Sequence, residues 1–271
     1  MKKEIKIVDK EKGILQVTTV DERWYIRQST DKATGLPIHE YVPSVTWICE
    51  HYPKGIAYYK WLANKGWDEA EAIKEAAGDK GGKVHQAVAL LIDGQTVKID
   101  QAFINPRTEQ VEPLTLEEYE AAMSFVEWVK AAKPKFLRHE FVVFEDAFGY
   151  AGMVDLECEI GGELYIVDFK TSAYIWPSHE LQVSAYKEAV DKLGDLENVD
   201  KEVKGHKLAI LQLGYRLNKT KKFKFTEIED KFTEFMAART IWANETKGVE
   251  PKQKDYPLEI CLNPVGTAEK K

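Results

Sequence analysis

Three apolar segments with strand character follow one another in the middle of this chain, separated by short turns. The segments are 136–145, 151–160 and 163–170, and the turns are 146–149 and Gly161-Gly162. Apolar segments of this length, joined by loops of four and two residues, are typical of antiparallel hairpins. The sequence therefore predicts a three-stranded meander.

The turn positions also predict which residues oppose one another. If Gly161-Gly162 is a two-residue turn, Asp155 lies directly across from Asp168, and if 146–149 is a four-residue loop, Glu140 lies across from Asp155. Directly opposed side chains have Cβ atoms about 4.5 to 5.5 Å apart. Carboxylates held that close repel each other unless a cation or a shared proton lies between them. The register therefore predicts a cluster of acids that needs a counter-charge.

A lysine beside these acids points to metal-dependent hydrolysis. Lys170 lies two residues after Asp168 and shares its face of the strand. Oxygen ligands hold Mg²⁺ or Mn²⁺, and a nearby cation orients and helps to deprotonate an attacking water. Charges inside apolar strands are costly, which favours a purpose for Asp155 and Asp168. Glu140, next to Arg138, fits a solubilising charge on an edge strand equally well. A phosphodiester is the substrate class that suits this chemistry best.

Helical periodicity flanks the meander on both sides. A capping box at Thr115 and Glu118 begins one predicted helix, and Pro134 ends it. The elements expected after the meander are a helix over 178–192, a strand over 206–215 and a helix over 229–245. Around the meander, the predicted order is therefore helix, three strands, helix, strand.

Upstream, the pattern predicts two helices, one over 56–77 and one over about 83–92, with the glycine-rich run 78–82 as a break between them. His85 then lies in the first turn of the second helix. A helix N-terminus favours the neutral imidazole, which can bind a metal, although a surface histidine is the simpler interpretation. The predicted domains are a β-rich appendage over 1–55, the main domain over 56–248 and a tail over 249–271.

Four short motifs occur in a characteristic order. They are Gly81-Gly-Lys-Val-His85, Gly152-Met-Val-Asp155, Val167-Asp-Phe-Lys-Thr171 and Gln182-Val-Ser-Ala-Tyr186. In this order they resemble the motifs of the RecB-like branch of the PD-(D/E)XK nuclease superfamily. Pro43-Ser-Val-Thr46 is also similar to the start of phage-encoded exonucleases of that branch and of the mitochondrial genome-maintenance exonuclease. The likeness covers roughly residues 43–186.

The resemblance implies a fold class and a set of roles. The fold is α/β, with a restriction-endonuclease-like αβββαβ core whose mixed central sheet is flanked by helices. The implied metal ligands are His85, Asp155, Asp168 and the carbonyl of Phe169. The other implied roles are a catalytic lysine at Lys170, a supporting acid at Glu140, and DNA positioning by Gln182 and Tyr186.

Cofactor and partner expectations follow from the same likeness. The expected cofactor is Mg²⁺ or Mn²⁺. Relatives that hold an iron–sulfur cluster use four cysteines, whereas this chain has three scattered ones, so no cluster is expected. DNA is the expected partner, with recombination or replication proteins as further candidates. Four lysines near the C-terminal end are either backbone contacts for DNA or a lysine-rich hairpin edge; they are Lys219, Lys221, Lys222 and Lys224, with Phe223 and Phe225 interleaved.

Composition limits the class of protein. The 271 residues carry a net charge of −7, and 44% are hydrophobic, which excludes a disordered chain and lowers the prior for a protein that coats nucleic acid. The longest apolar run is far shorter than a bilayer span, there is no secretory signal, and the cysteines form no disulfide framework. The expected location is therefore a reducing cytoplasm, and the resemblance to phage-encoded exonucleases implies that of a bacterial cell or a phage-infected host.

The resulting hypothesis is a metal-dependent DNA nuclease in replication, recombination or repair. An exonuclease acting on single strands or DNA ends is favoured, because no base-reading module is evident. The first alternative is a nuclease-fold protein that binds DNA or a recombination partner without cutting. The second is a hydrolase of another phosphate ester. The chain lacks a phosphate-binding P-loop, a Gly-x-Ser-x-Gly elbow and a His-Glu-x-x-His motif, which excludes ATPase, serine hydrolase and zincin readings.

Overall fold

The protein, as seen in a computed structural model, is a mixed α/β structure. The structure describes residues 4–19, 21–31, 35–105, 108–193, 205–218, 221–248 and 250–252, without the side chains of 37, 215–218 and 221. The described strands are β1 (Glu4–Asp9), β2 (Ile14–Thr18), β3 (Arg23–Thr30), β4 (Pro37–Pro43), β5 (Ala102–Ile104), β6 (Val111–Pro113), β7 (Lys135–Glu145), β8 (Tyr150–Ile160), β9 (Glu163–Lys170), β10 (Lys207–Asn218) and β11 (Lys221–Ile228). The described helices are α1 (Val45–Glu50), α2 (Ile56–Lys65), α3 (Trp67–Ile92), α4 (Leu116–Ala132), α5 (Pro177–Leu193) and α6 (Phe232–Thr246).

The central sheet has the strand order β11-β10-β9-β8-β7. Strands β7, β8 and β9 form the predicted antiparallel meander, and α5 carries the chain across so that β10 runs parallel to β9. Apolar residues of α3 and α4 pack on one face of this sheet, and those of α1, α5 and α6 pack on the other. The sheet is therefore mixed and covered by helices on both faces.

Both turns of the meander have the predicted lengths. Gly161 and Gly162 have φ angles of +61° and +87°, a conformation that favours glycine and matches the twist of a two-residue hairpin. The register of β8 with β9 is the predicted one, from Ile160 opposite Glu163 to Leu156 opposite Val167. The register of β7 with β8 agrees from Glu145 to Arg138, whereas an irregularity before Arg138 shifts the pairing of Phe136 by one residue.

The predicted break at 78–82 is wrong, because α3 runs without interruption from Trp67 to Ile92. The chain breaks instead at Gly66, whose φ of +78° ends α2. Helix α3 persists through its glycines because tertiary contacts outweigh their low helix propensity. Val84 and Val88 are buried against α4 and the sheet, and Lys83 forms a buried ion pair with Glu118 at 2.9 Å.

The N-terminal strands form a separate antiparallel sheet in the order β1-β2-β3-β4, and this sheet packs against the central domain. Trp24 of β3 lies within 5.3 Å of Trp47 of α1 and 5.8 Å of Trp242 of α6, measured between ring centroids. Arg27 bridges Glu40 and Asp146, the latter in the turn between β7 and β8. The β-rich segment is therefore anchored to the meander, while the predicted domain boundaries remain predictions.

The other sequence features have mixed outcomes. The capping box at Thr115 and Glu118 is present, and α4 ends at Lys133, just before Pro134. No helix within the described ranges is long and apolar enough to cross a bilayer. Cys49 and Cys158 are buried free thiols, and Cys261 lies outside the described residues, as does almost all of the predicted tail.

Ion pairs between α3 and α4 provide a matched test of what keeps α3 intact. Replacing buried Lys83 with Met leaves the Glu118 carboxylate buried without its cation, and we expect the free energy of unfolding to fall by about 3 kcal/mol. Lys80→Met removes an exposed pair with Glu117 on the same two helices and should cost less than about 1 kcal/mol. Urea unfolding measures both, and equal losses would contradict this assignment.

His206 provides a test of pH dependence. Its imidazole lies 2.5 Å from Asp191 and 3.0 Å from Glu157, and these carboxylates raise its pKa although burial opposes the charge. A raised pKa stabilises the fold at pH values below the unfolded value of about 6.5, and this contribution is lost as pH rises through the folded value. We expect His206→Gln to cost about 2 kcal/mol at pH 6 and clearly less at pH 10. Urea unfolding of exposed His39→Gln, as a control, should show no such trend.

Candidate active site

Two of the three acids singled out by the sequence meet the predicted histidine in the structure. His85 comes from α3, Glu140 from β7 and Asp155 from β8. One ligand atom from each residue lies within 4.8 Å of the others. Nitrogen and carboxylate oxygen donors in such a group can hold a divalent cation.

Asp155 lies where β8 and β9 separate. The paired register ends at Leu156 and Val167, so Asp155 does not form a regular pair with Asp168. Instead the Asp155 carboxylate accepts a hydrogen bond of 2.7 Å from the N–H of Phe169. Burial opposes the charge on Asp155, but His85, Lys170 and this N–H together hold its pKa below the usual value.

The strands are irregular at this point. Val154 packs in the cluster with α5, whereas Leu156 packs in the cluster with α3 and α4, although alternate residues of a regular strand share a face. Opposite, Glu140 has a φ of +46°, a left-handed conformation that is strained for a side chain other than glycine. Backbone irregularity therefore directs both Asp155 and Glu140 toward His85.

Three contacts orient the His85 ring. Its Nε2 lies 3.1 Å from the carbonyl oxygen of Phe169, and its Nδ1 lies 3.4 Å from Asp155 Oδ1 and 3.8 Å from Glu140 Oε1. A hydrogen bond from Nε2 leaves Nδ1 for the acids, which is the usual way that a ligating histidine is held. The Phe169 carbonyl therefore orients His85, and its role as a metal ligand remains a prediction.

The position and charge of His85 differ from the predictions. The residue lies in the interior of α3, so the helix N-terminus cannot favour its neutral form. Burial opposes its charge, but the carboxylates of Asp155 and Glu140 raise the pKa of His85 to about 9. Burial and the Asp155 charge also raise the pKa of Glu140. The imidazolium thus supplies the positive charge between these acids, which the cluster needs when no metal is bound.

Asp168 and Lys170 form a second part of the site. Lys170 Nζ lies 2.6 Å from Asp168 Oδ2, and it donates a hydrogen bond of 3.3 Å to Gln182 Oε1. Burial is the main reason that the pKa of Asp168 rises to about 6, despite the attraction of Lys170. Neither Asp168 oxygen has a hydrogen-bond partner with suitable geometry among the described residues.

Gln182 and Tyr186 lie on one face of α5, as predicted, but their contacts differ. Gln182 Nε2 donates to the hydroxyl of Tyr186 at 3.1 Å, so these two residues hold Lys170. Tyr186 is only 3% exposed and packs in the core. Its ring therefore offers no free face to a base, and its observed polar contact is with Gln182; a part for either residue in positioning DNA remains a prediction.

Gly152 is a site residue whose role sequence reasoning missed. A Cβ atom at this position would lie 2.4 Å from Cε1 of Tyr186, so only glycine lets the ring approach β8 this closely. The residue stood within the motif Gly152-Met-Val-Asp155, but nothing in the strand pattern indicated which side chain would cross it. His179, on the first turn of α5, is a second residue near Lys170 that the sequence did not indicate, because a single histidine forms no recognisable motif.

Lys222 of β11 makes its ion pair with α4 and not with this cluster. Lys222 lies 3.9 Å from Glu120 of α4, in an exposed ion pair. The side chain of Lys221 lies outside the part of the chain that the structure describes. Contact with DNA by either residue remains a prediction.

Neither a scan against protein-family models nor a search of curated proteins returned a match for this chain.

Gly152 provides a stability test of the site. Gly152→Ala forces Tyr186 or β8 to move, and we expect it to lower the free energy of unfolding by about 2 kcal/mol. Gly78→Ala, in the interior of α3 with open space around the new methyl group, should raise stability by about 0.5 to 1 kcal/mol. Urea unfolding compares the two, and a neutral Gly152→Ala would show that the close approach of Tyr186 is dispensable.

Proposed function

We propose that this protein is a metal-dependent DNA nuclease, with single strands or DNA ends as its substrate. The observation that carries the proposal is the convergence of His85, Glu140 and Asp155 beside the Asp168–Lys170 pair. These residues come from four different elements, α3, β7, β8 and β9, which the fold brings together. Buried like charges lower the stability of a fold. Their presence here therefore favours a function that requires them.

Motif order and element order support the same proposal. The four motifs resemble those of RecB-like PD-(D/E)XK nucleases, whose core runs αβββαβ. Here α4, β7, β8, β9, α5 and β10 follow one another in that order. The two lines of support are independent, because the element order follows from hydrophobic patterning and the motifs concern mostly polar residues.

The donor set suits a hard divalent cation. His85, Glu140 and Asp155 would hold Mg²⁺ or Mn²⁺. Asp168 adds a nearby buried carboxylate, of which Oδ2 pairs with Lys170 and Oδ1 has no hydrogen-bond partner among the described residues. Such an ion supplies Lewis-acid polarisation of the phosphate and a more acidic water. The Phe169 carbonyl keeps His85 in the orientation that this set requires.

The protein's own groups would then orient the reaction. Asp168 and Gln182 hold the Lys170 ammonium at the rim of the cluster, where it can align the attacking water and balance charge on the phosphate. The water oxygen forms a bond to phosphorus, the bond from phosphorus to the leaving sugar oxygen breaks, and a proton passes to that oxygen. Binding without cleavage would need none of this arrangement.

Replacing Lys170 tests the proposal. We expect Lys170→Met to reduce metal-dependent cleavage of end-labelled DNA by about 100-fold or more, because it removes a charged group from the transition state. Lys207→Met is the matched control. Lys207 of β10 forms an exposed ion pair with Glu163 of β9, at the end of β9 opposite to Lys170. This control should cleave like the wild type, and EDTA should abolish all cleavage.

Folding and binding must be measured alongside cleavage. Thermal unfolding shows whether Lys170→Met is folded, and Asp155→Asn provides a second variant with the same expected loss. If the wild type cuts neither single-stranded nor duplex DNA with Mg²⁺ or Mn²⁺ but retains DNA in a gel shift, the non-cleaving alternative is correct. Cleavage of simple phosphate esters without cleavage of DNA would instead support a different hydrolase.

A further inference from the structure

Two large aromatic side chains project from the loop that follows Lys170. Tyr174 is 70% exposed and Trp176 is 49% exposed. Their ring centroids are 6.0 Å apart, and the ring planes are inclined by 51°. Large aromatic side chains are usually buried, because removing their surface from water is favourable. An exposed pair of them is therefore typical of a binding site.

The loop that carries these rings is anchored. Ile175, between them, packs against the cluster formed by α1, α5 and α6, so the two neighbours face outward. The carbonyl of Ser172 accepts a hydrogen bond of 2.9 Å from Gln212, a buried side chain of β10. Ser172 Oγ donates to the carbonyl of Tyr174, and the Trp176 N–H donates to His179 Nδ1. The rings are therefore presented by a held backbone.

The rings also lie close to the candidate active site. Tyr174 follows Lys170 by four residues, so their Cα atoms are at most about 14 Å apart. Burial, and then the charges of Lys170 and Lys54, lower the pKa of His179 to about 3, so these two lysines lie near the residue that accepts the hydrogen bond from the Trp176 N–H. Flat aromatic faces beside positive charge match a polyanion with exposed bases rather than a purely apolar partner.

We propose that Tyr174 and Trp176 form a stacking platform for unpaired bases of single-stranded DNA next to Lys170. This inference rests on the proposed nuclease function for its substrate class. The platform explains how a site without base-reading groups distinguishes a strand with unstacked bases from a duplex. Aromatic stacking tolerates any sequence, because every base has a flat face.

The platform is tested by the binding of a fluorescent oligothymidylate of 12 nucleotides. Fluorescence anisotropy measures this binding in EDTA, and again with Mg²⁺ in proteins that also carry Lys170→Met. We expect Tyr174→Ala and Trp176→Ala each to weaken binding by about tenfold. Tyr174→Phe and Trp176→Phe keep a ring and should bind nearly as well as the wild type. Trp67→Ala is the matched control, because Trp67 is 67% exposed but about 27 Å along α3 from His85.

An abasic oligonucleotide of the same length separates stacking from contact with the backbone. It should bind the wild type about tenfold more weakly, and the alanine variants should then show little further loss. Alanine variants that lost affinity equally for abasic and for normal DNA would overturn the platform. Alanine variants that bound like Trp67→Ala in both conditions would also overturn it. So would an equal loss on blunt duplex DNA.

The same measurements separate this inference from the proposed function. Ring-dependent binding by a wild type that cuts no DNA would support the platform and refute the nuclease. Metal-dependent cleavage with ring-independent binding would support the nuclease and refute the platform. A partner protein that covers the rings instead would leave DNA binding unchanged in every ring variant, which is the same refuting result.

Discussion

The structure depends on a concentration of buried negative charge at the point where two strands of the central sheet separate. Asp155 and Asp168 are both buried in the middle of apolar strands, and Glu140 adds a third carboxylate. Such a cluster is stable only if cations and hydrogen-bond donors compensate it. His85, Lys170 and the N–H of Phe169 provide this compensation, and each depends on a different element being in place.

The groups behind the charged residues are as important as the charges themselves. The Phe169 carbonyl orients His85, and Tyr186 orients Gln182, which holds Lys170. Gly152 makes the approach of Tyr186 possible. A substitution of one of these positioning residues would therefore displace the charged side chains although those side chains are themselves unchanged, because packed side chains transmit displacements.

Much of the central architecture was predictable because short turns determine register. The pair Gly161-Gly162 and the loop 146–149 predicted which residues oppose each other. The observed pairing agrees as far as Leu156 and Val167, but it ends before the predicted pair of Asp155 and Asp168. The same local rules failed at α3, where glycine propensity predicted a break that buried contacts prevent. Local propensity is worth about 1 kcal/mol per glycine, which a buried helix face readily exceeds.

The sequence by itself determined the turns, the strand order within the meander and which charged residues lie in apolar surroundings, because these properties depend on near neighbours along the chain. Only the tertiary structure decided that β8 and β9 separate at Asp155, that His85 meets Glu140 as well as Asp155, and that Tyr186 is buried against Gly152. These contacts join residues from different elements. They follow from how helices pack on the sheet, a balance of many small surface and volume terms that no single segment contains.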